Sequence, residues 1–203
     1  MRIMKKVIIG LILFLPLMTW GQNSTQKGND VIKRRVEFIK DFIGTYQKAY
    51  EEMKIKYIES FFSTDALIIT ETKELSKCGT ETAPHSTKKR PYKLVVEDKR
   101  EYLDHLNKLF KDKRKIKLNI ARMQIKKHSL YPDIYGISFT QMWLNEKEGN
   151  NLESQMPGYI FLMVDFRRHE MRPIIHVRTW QPKENVRSEQ DKFNLYDFVI
   201  YDF

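Results

Sequence analysis

The chain has 203 residues, 36 Lys and Arg against 26 Asp and Glu, and 41% hydrophobic residues, which suits one globular domain with a real core. Eight Gly and seven Pro exclude collagen-like and low-complexity designs, and 12% aromatic content excludes wholesale disorder. With Cys78 as its single cysteine the chain forms no intramolecular disulfide, so stability must come from the core.

At the N-terminus Arg2, Lys5 and Lys6 precede the apolar run Val7 to Trp20, and Thr19 and Gly21 place small residues before a cleavage point. The run is shorter than the roughly 20 residues a membrane-spanning helix needs. This pattern predicts a signal peptide at 1–21 and a flexible polar stretch at 22–30. The mature protein is expected to be exported, whether periplasmic, cell-surface or secreted, with no stable membrane insertion after cleavage. Losing residues 1–21 removes three basic residues and no acid, so the formal charge of +10 falls but stays positive. Lys88-Lys89-Arg90 and the cluster Lys111, Lys113, Arg114, Lys115 and Lys117 have Asp98, Glu101, Asp104 and Asp112 interleaved nearby. They read as solvated faces, and nucleic acid is not an expected partner.

From about Asn29, Ile32, Val36, Ile39, Ile43, Tyr46, Tyr50 and Met53 alternate spacings of four and three, which draws one apolar stripe on a helix. A second short helix is expected around Ile55, Ile58 and Phe61 or Phe62, followed by a strand through Asp65–Thr70. Asp98 and Glu101 form a capping-box pattern ahead of Leu103, Leu106, Leu109 and Phe110, a third helix with lysines in its last turn. Between them residues 72–93 read as a long polar loop with at most one weak strand. That loop holds Cys78 and His85, which lack the further ligands a zinc site needs, so neither a metal nor a cofactor is expected.

After Lys115 the period becomes that of strands: Ile116–Lys126, Ile134–Leu144, Tyr159–Phe166 and Ile174–Trp180, an antiparallel meander with turn residues between. In Tyr159–Phe166 both alternating sets are mostly apolar, so neither face of that strand wants water. Helices can cover one face; another subunit, a partner protein or the C-terminal tail must cover the other. A homodimer or a partner held through the sheet face is the expectation. Residues 183–203 form a tail, rich in Tyr and Phe from Phe193, that is expected to add a strand or pack on the sheet.

Helix, short helix, Phe61-Phe62-Ser63-Thr64-Asp65-Ala66-Leu67-Ile68-Ile69, loop, third helix and meander together resemble the nuclear transport factor 2-like superfamily. The phrases Gly158–Asp165 and Pro173–Pro182 are similar to a SnoaL-like branch found in exported proteins of Gram-negative bacteria. The resemblance covers residues 31–182 and implies an α+β cone. In it three N-terminal helices pack on a bent, mostly antiparallel sheet, with a pocket at the open end and frequent dimerisation. It implies no single activity.

Enzymes of that superfamily place an Asp or His on a strand inside the cone, for which Asp165 and His176 are the candidates here. The bland reading pairs Asp165 with Arg178 or Arg167 and leaves His176 satisfied in a half-buried sheet. His176, Arg178 and Trp180 are spaced to share one face. Facing inward they would hold an anionic or sugar-like ligand; facing outward they would mark a partner surface. Gln141, Trp143 and Tyr159 complete the candidate ligand-binding or interface set. The resulting expectation is an exported, non-catalytic ligand-binding or assembly module. The alternative is a small-molecule isomerase, dehydratase or hydrolase.

Overall fold

The structure, a computed structural model, describes residues 4–73, 92–111, 115–146, 152–154, 157–186, 188, 192 and 198–200. Cys78, His85 and the Lys88–Arg90 cluster lie outside the described residues. The chain divides into two compact units, one running to Asp41 and the other spanning Phe42–Asp202. The first is helical: α1, Met4–Glu51, begins in it, well upstream of the expected start at Asn29. Residues 17–30 contain no proline, so nothing there stops the helix. No described helix is long and apolar enough to cross a membrane.

The second unit takes the last turns of α1 and continues with α2 (Ile55–Glu59), β1 (Phe62–Lys73), β2 (Tyr92–Glu97) and α3 (Lys99–Lys111). The meander follows: β3 (Ile116–His128), β4 (Ile134–Glu146), β5 (Leu152–Ser154), β6 (Gly158–Asp165), β7 (Ile174–Pro182) and β8 (Phe198–Ile200). Its sheet runs β2-β1-β7-β6-β4-β3-β8, with β5 added on β4. Every neighbouring pair is antiparallel except β1 with β7. This is an α+β architecture with a mixed sheet.

Helix ends follow local chemistry. The capping box forms in both directions: Glu101 N–H donates to Asp98 Oδ1 at 2.8 Å, and Asp98 N–H donates to Glu101 Oε2 at 3.0 Å. α1 ends where Met53 adopts φ 54°, letting Lys54 N–H reach back to the Ala49 carbonyl at 2.9 Å. Its last turn also satisfies a free strand edge. Gln47 Nε2 donates to the Leu118 carbonyl at 2.7 Å, and Leu118 N–H donates to Glu51 Oε1 at 2.9 Å.

The concave face of the sheet carries Ile68, Leu118, Tyr135, Ile137, Phe139, Ile160, Leu162, Val164 and Ile175, all buried. Facing them are Phe42, Ile43, Tyr46, Ala49 and Tyr50 of α1, Ile58 of α2, and Tyr102, Leu106 and Phe110 of α3. At about 1.5–3 kcal/mol for each large apolar side chain removed from water, this layer dominates the stability of the unit.

The outer face is apolar too, and its two halves differ. Over β6 and β7, Phe161 is only 4% exposed and Thr179 5%. Lys192 of the tail reaches this half, its Nζ 4.6 Å from the centre of the Tyr159 ring, and beyond it β8 pairs with β3 at Lys126–His128. Over β1 and β2, Leu67, Leu94 and Val96 remain 41%, 52% and 60% exposed. The register places them side by side, with Ile69 opposite Val96 and Glu71 opposite Leu94.

Candidate functional site

The centre of the concave face is built around Arg178. β7 delivers it beside Ile68 of β1 and Leu162 of β6, under the aromatic stripe of α1 and the buried face of α3. Its Nε donates to Tyr46 Oη at 3.3 Å, and its guanidinium carbon lies 5.0 Å from the centre of the Tyr102 ring. Tyr46 and Tyr50 pack with ring centres 4.5 Å apart, and the Tyr50 and Tyr102 hydroxyls are 2.7 Å apart. Burial disfavours the charged guanidinium, but the phenol oxygens of Tyr102, Tyr46 and Tyr50 outweigh it and hold Arg178 protonated. Burial likewise pushes the Tyr50 and Tyr102 hydroxyls up, so both remain neutral donors and acceptors. Among the described residues no carboxylate pairs with Arg178.

Gln141 shares this face. It is buried, and neither its amide oxygen nor its nitrogen has a hydrogen-bond partner among the described residues. Trp143 lies edge-on to Tyr50 at 5.8 Å and 6.5 Å from Phe110, which is core packing. Trp180 lays its indole over Gly158: a Cβ there would meet Trp180 Cε2 at 2.6 Å and the Gln181 carbonyl at 2.8 Å.

Structures of known proteins share this fold. A Novosphingobium aromaticivorans protein named as a scytalone dehydratase is 9% identical, with 76% of this chain and 88% of that one covered at a TM-score of 0.54. A protein of the same organism named as the β subunit of an aromatic-ring-hydroxylating dioxygenase is 15% identical, covering 70% and 85% at 0.52. ActVI-ORFA from Streptomyces coelicolor is 8% identical, covering 73% and 97% at 0.54. The chain has the nuclear transport factor 2-like cone fold. No protein-family model and no curated protein sequence matches it. At these identities the likeness shows the fold alone.

Within the cone, the six candidate ligand or interface residues separate. Gln141, Trp143, Arg178 and Trp180 take the concave side, whereas Tyr159 lies outside against Lys192. The expected shared face of His176, Arg178 and Trp180 is not formed. β7 carries a bulge between Ile175 and Val177, so Ile175 rather than His176 lines up with Arg178. His176 instead sits with Nε2 3.4 Å from Asp165 Oδ2.

Asp165 is held by Arg167: the backbone N–H donates to Oδ1 at 2.7 Å, and Nε and Nη2 approach Oδ2 at 2.8 and 2.6 Å. Burial raises its pKa, but the side-chain and backbone hydrogen bonds from Arg167, with the charges of Arg167 and His176, bring the carboxyl below its ordinary range. Asp165 alternates with the buried Val164 and so points away from Arg178.

Tyr46 and Tyr50 were legible only as part of a helix stripe, and Tyr102 was not singled out at all. Its signal is the spacing Tyr102, Leu106, Phe110, which is the buried face of α3.

Proposed function

We propose that the protein is an exported, non-catalytic assembly module that pairs with a second copy of itself through the β1–β2 half of the outer sheet face. The observation that carries this reading is the contiguous exposed strip Leu67, Leu94 and Val96 beside the half-buried Ile69 and Val177. The strip lies at the sheet edge formed by β2, and Glu71, opposite Leu94, accepts a hydrogen bond from Gln181 Nε2 at 3.3 Å, so a two-fold contact can match the apolar side chains to themselves. A neighbour in fold is named as a subunit of a larger enzyme, which fits an assembly role. Export rests on the leader pattern of residues 1–21.

The test is sedimentation equilibrium of residues 22–203 with and without Leu94→Lys and Val96→Lys together. The expected result is a dimer that the double variant converts to monomer with unchanged circular dichroism. A parent chain that is monomeric at several hundred micromolar removes the proposal.

A second reading has its own support. Arg178 and Gln141 are buried polar groups facing the interior, one without a carboxylate and the other without any described partner, as a small anionic or sugar-like ligand would require. Chemistry by Asp165 or His176 has less support, because a carboxylate gripped by arginine and held low is a poor base at neutral pH.

A further inference from the structure

At one end of the sheet two turns stand side by side. Residues 129–133 join β3 to β4 and residues 166–173 join β6 to β7, and the pairing of Ile134 with Asp165 sets these turns next to each other. The Phe166 N–H ties them together by donating to the Asp133 carbonyl at 3.0 Å. Their tips are apolar: Leu130 is 78% exposed, Met171 71% and Tyr131 55%. Among the described residues, Leu130 and Met171 are the most exposed large hydrophobic side chains. One such side chain is ordinary, but three on adjoining turns make a patch.

Ordered backbone holds the tips out. The N–H groups of Leu130 and Tyr131 both donate to His128 Nδ1, at 3.1 and 3.2 Å, and Ile134 N–H donates to the Tyr131 carbonyl at 3.1 Å. In the second turn His169 N–H donates to the Phe166 carbonyl at 3.1 Å, and Arg172 Nη2 donates to Ser60 Oγ at 2.8 Å, which fixes the chain on both sides of Met171. None of these bonds needs an apolar side chain at 130 or 171.

The second turn also exposes Arg167, Arg168, His169 and Arg172 alongside Glu170. Asp165 clasps Arg167, and Asp65 lies within electrostatic reach of Arg168, so the local basic excess is small. Residues 22–203 as a whole keep a formal positive charge, which draws the chain towards an anionic surface.

We propose that the two turns dock the protein on an anionic membrane surface, with Leu130, Tyr131 and Met171 entering the headgroup layer and Arg168 and Arg172 meeting lipid phosphates. Separate projecting tips suit a bilayer, whose lipids part around each of them, better than a protein partner, which must offer a matching hollow for each. A tyrosine belongs at such a boundary because its ring is apolar and its hydroxyl polar. Three side chains and a small basic excess give a weak, reversible attachment rather than insertion. The contact does not rest on the β1–β2 pairing.

The experiment is cosedimentation of residues 22–203 with vesicles of phosphatidylglycerol and phosphatidylcholine in equal parts, and with phosphatidylcholine vesicles; omitting residues 1–21 removes any affinity of the leader. Binding is expected on the anionic vesicles and to be several-fold weaker on the neutral ones. Leu130→Ser with Met171→Ser is expected to lower it about tenfold or more at unchanged circular dichroism, and Arg168→Glu to lower it about threefold. Leu94→Ser, in the β1–β2 strip, is expected to leave it unchanged. Equal binding to both vesicles, or binding that the Leu130 and Met171 changes leave intact, overturns the proposal. So does absence of binding to either vesicle, an outcome that leaves the turns to a protein partner.

Discussion

The outer sheet face has an apolar half over β6 and β7 and an apolar half over β1 and β2, and only the first is buried. Phe161 and Thr179 lie under the side that Lys192 reaches, whereas Leu94 and Val96 stay more than half exposed. Two described parts of the C-terminal segment come to the first half, Lys192 against Tyr159 and β8 beside β3. The bare half over β1 and β2 is the surface we propose is offered to a partner.

Removing the tail after Asn185 is the most severe way to break this difference. Re-exposing Phe161 and its neighbours is expected to cost about 2–3 kcal/mol and to make both halves associate, seen as a lower melting temperature with larger particles in light scattering. If truncation leaves stability and size unchanged, the tail is not the cover.

Gly158→Ala acts at the strand between the two faces. A methyl group would collide with the Trp180 indole and the Gln181 carbonyl, so a loss of about 2–3 kcal/mol is expected in urea unfolding. Arg178→Met sharpens the contrast with the concave side. Replacing the guanidinium by an apolar chain of similar volume removes its hydrogen bond to Tyr46 and its place over the Tyr102 ring, so a loss of about 1–3 kcal/mol is expected. A gain in stability instead would mean that the tyrosine cluster does not offset the burial of the charge.

The smallest effect is at Asp165. Its carboxyl pKa is lower in the folded chain than in the unfolded one, so its contribution is present above the unfolded value and is lost as pH falls through the folded value. Acid titration of stability is expected to be shallower in Asp165→Asn, by about 1 kcal/mol or less at neutral pH. Identical profiles would show that the Arg167 clasp contributes nothing.

Much of this architecture could be read from residues. The Asp98 and Glu101 pattern marked the start of α3 because capping is local chemistry, and the four main strands of the meander were visible in their period of two. The parallel pairing of β1 with β7 was not, since no local pattern records a contact between residues more than a hundred positions apart. Nor was the bulge at His176. One inserted residue reverses which side chains face the interior, and alternation in the sequence assumes there is none. Arg178 was legible as a candidate, but its tyrosine partners come from two helices, and Tyr102 carries an apolar ring whose hydroxyl role emerges only on meeting Tyr50.

Hydrogen exchange of residues 22–203 as a function of protein concentration tests the central claim most directly. Amides of Leu67–Ile69 and Leu94–Val96 are predicted to gain protection as concentration rises from about 1 to 100 μM, while those of Tyr159–Phe161 stay protected throughout. Concentration-independent exchange in both segments would show that the β1–β2 half faces water permanently and would contradict the account.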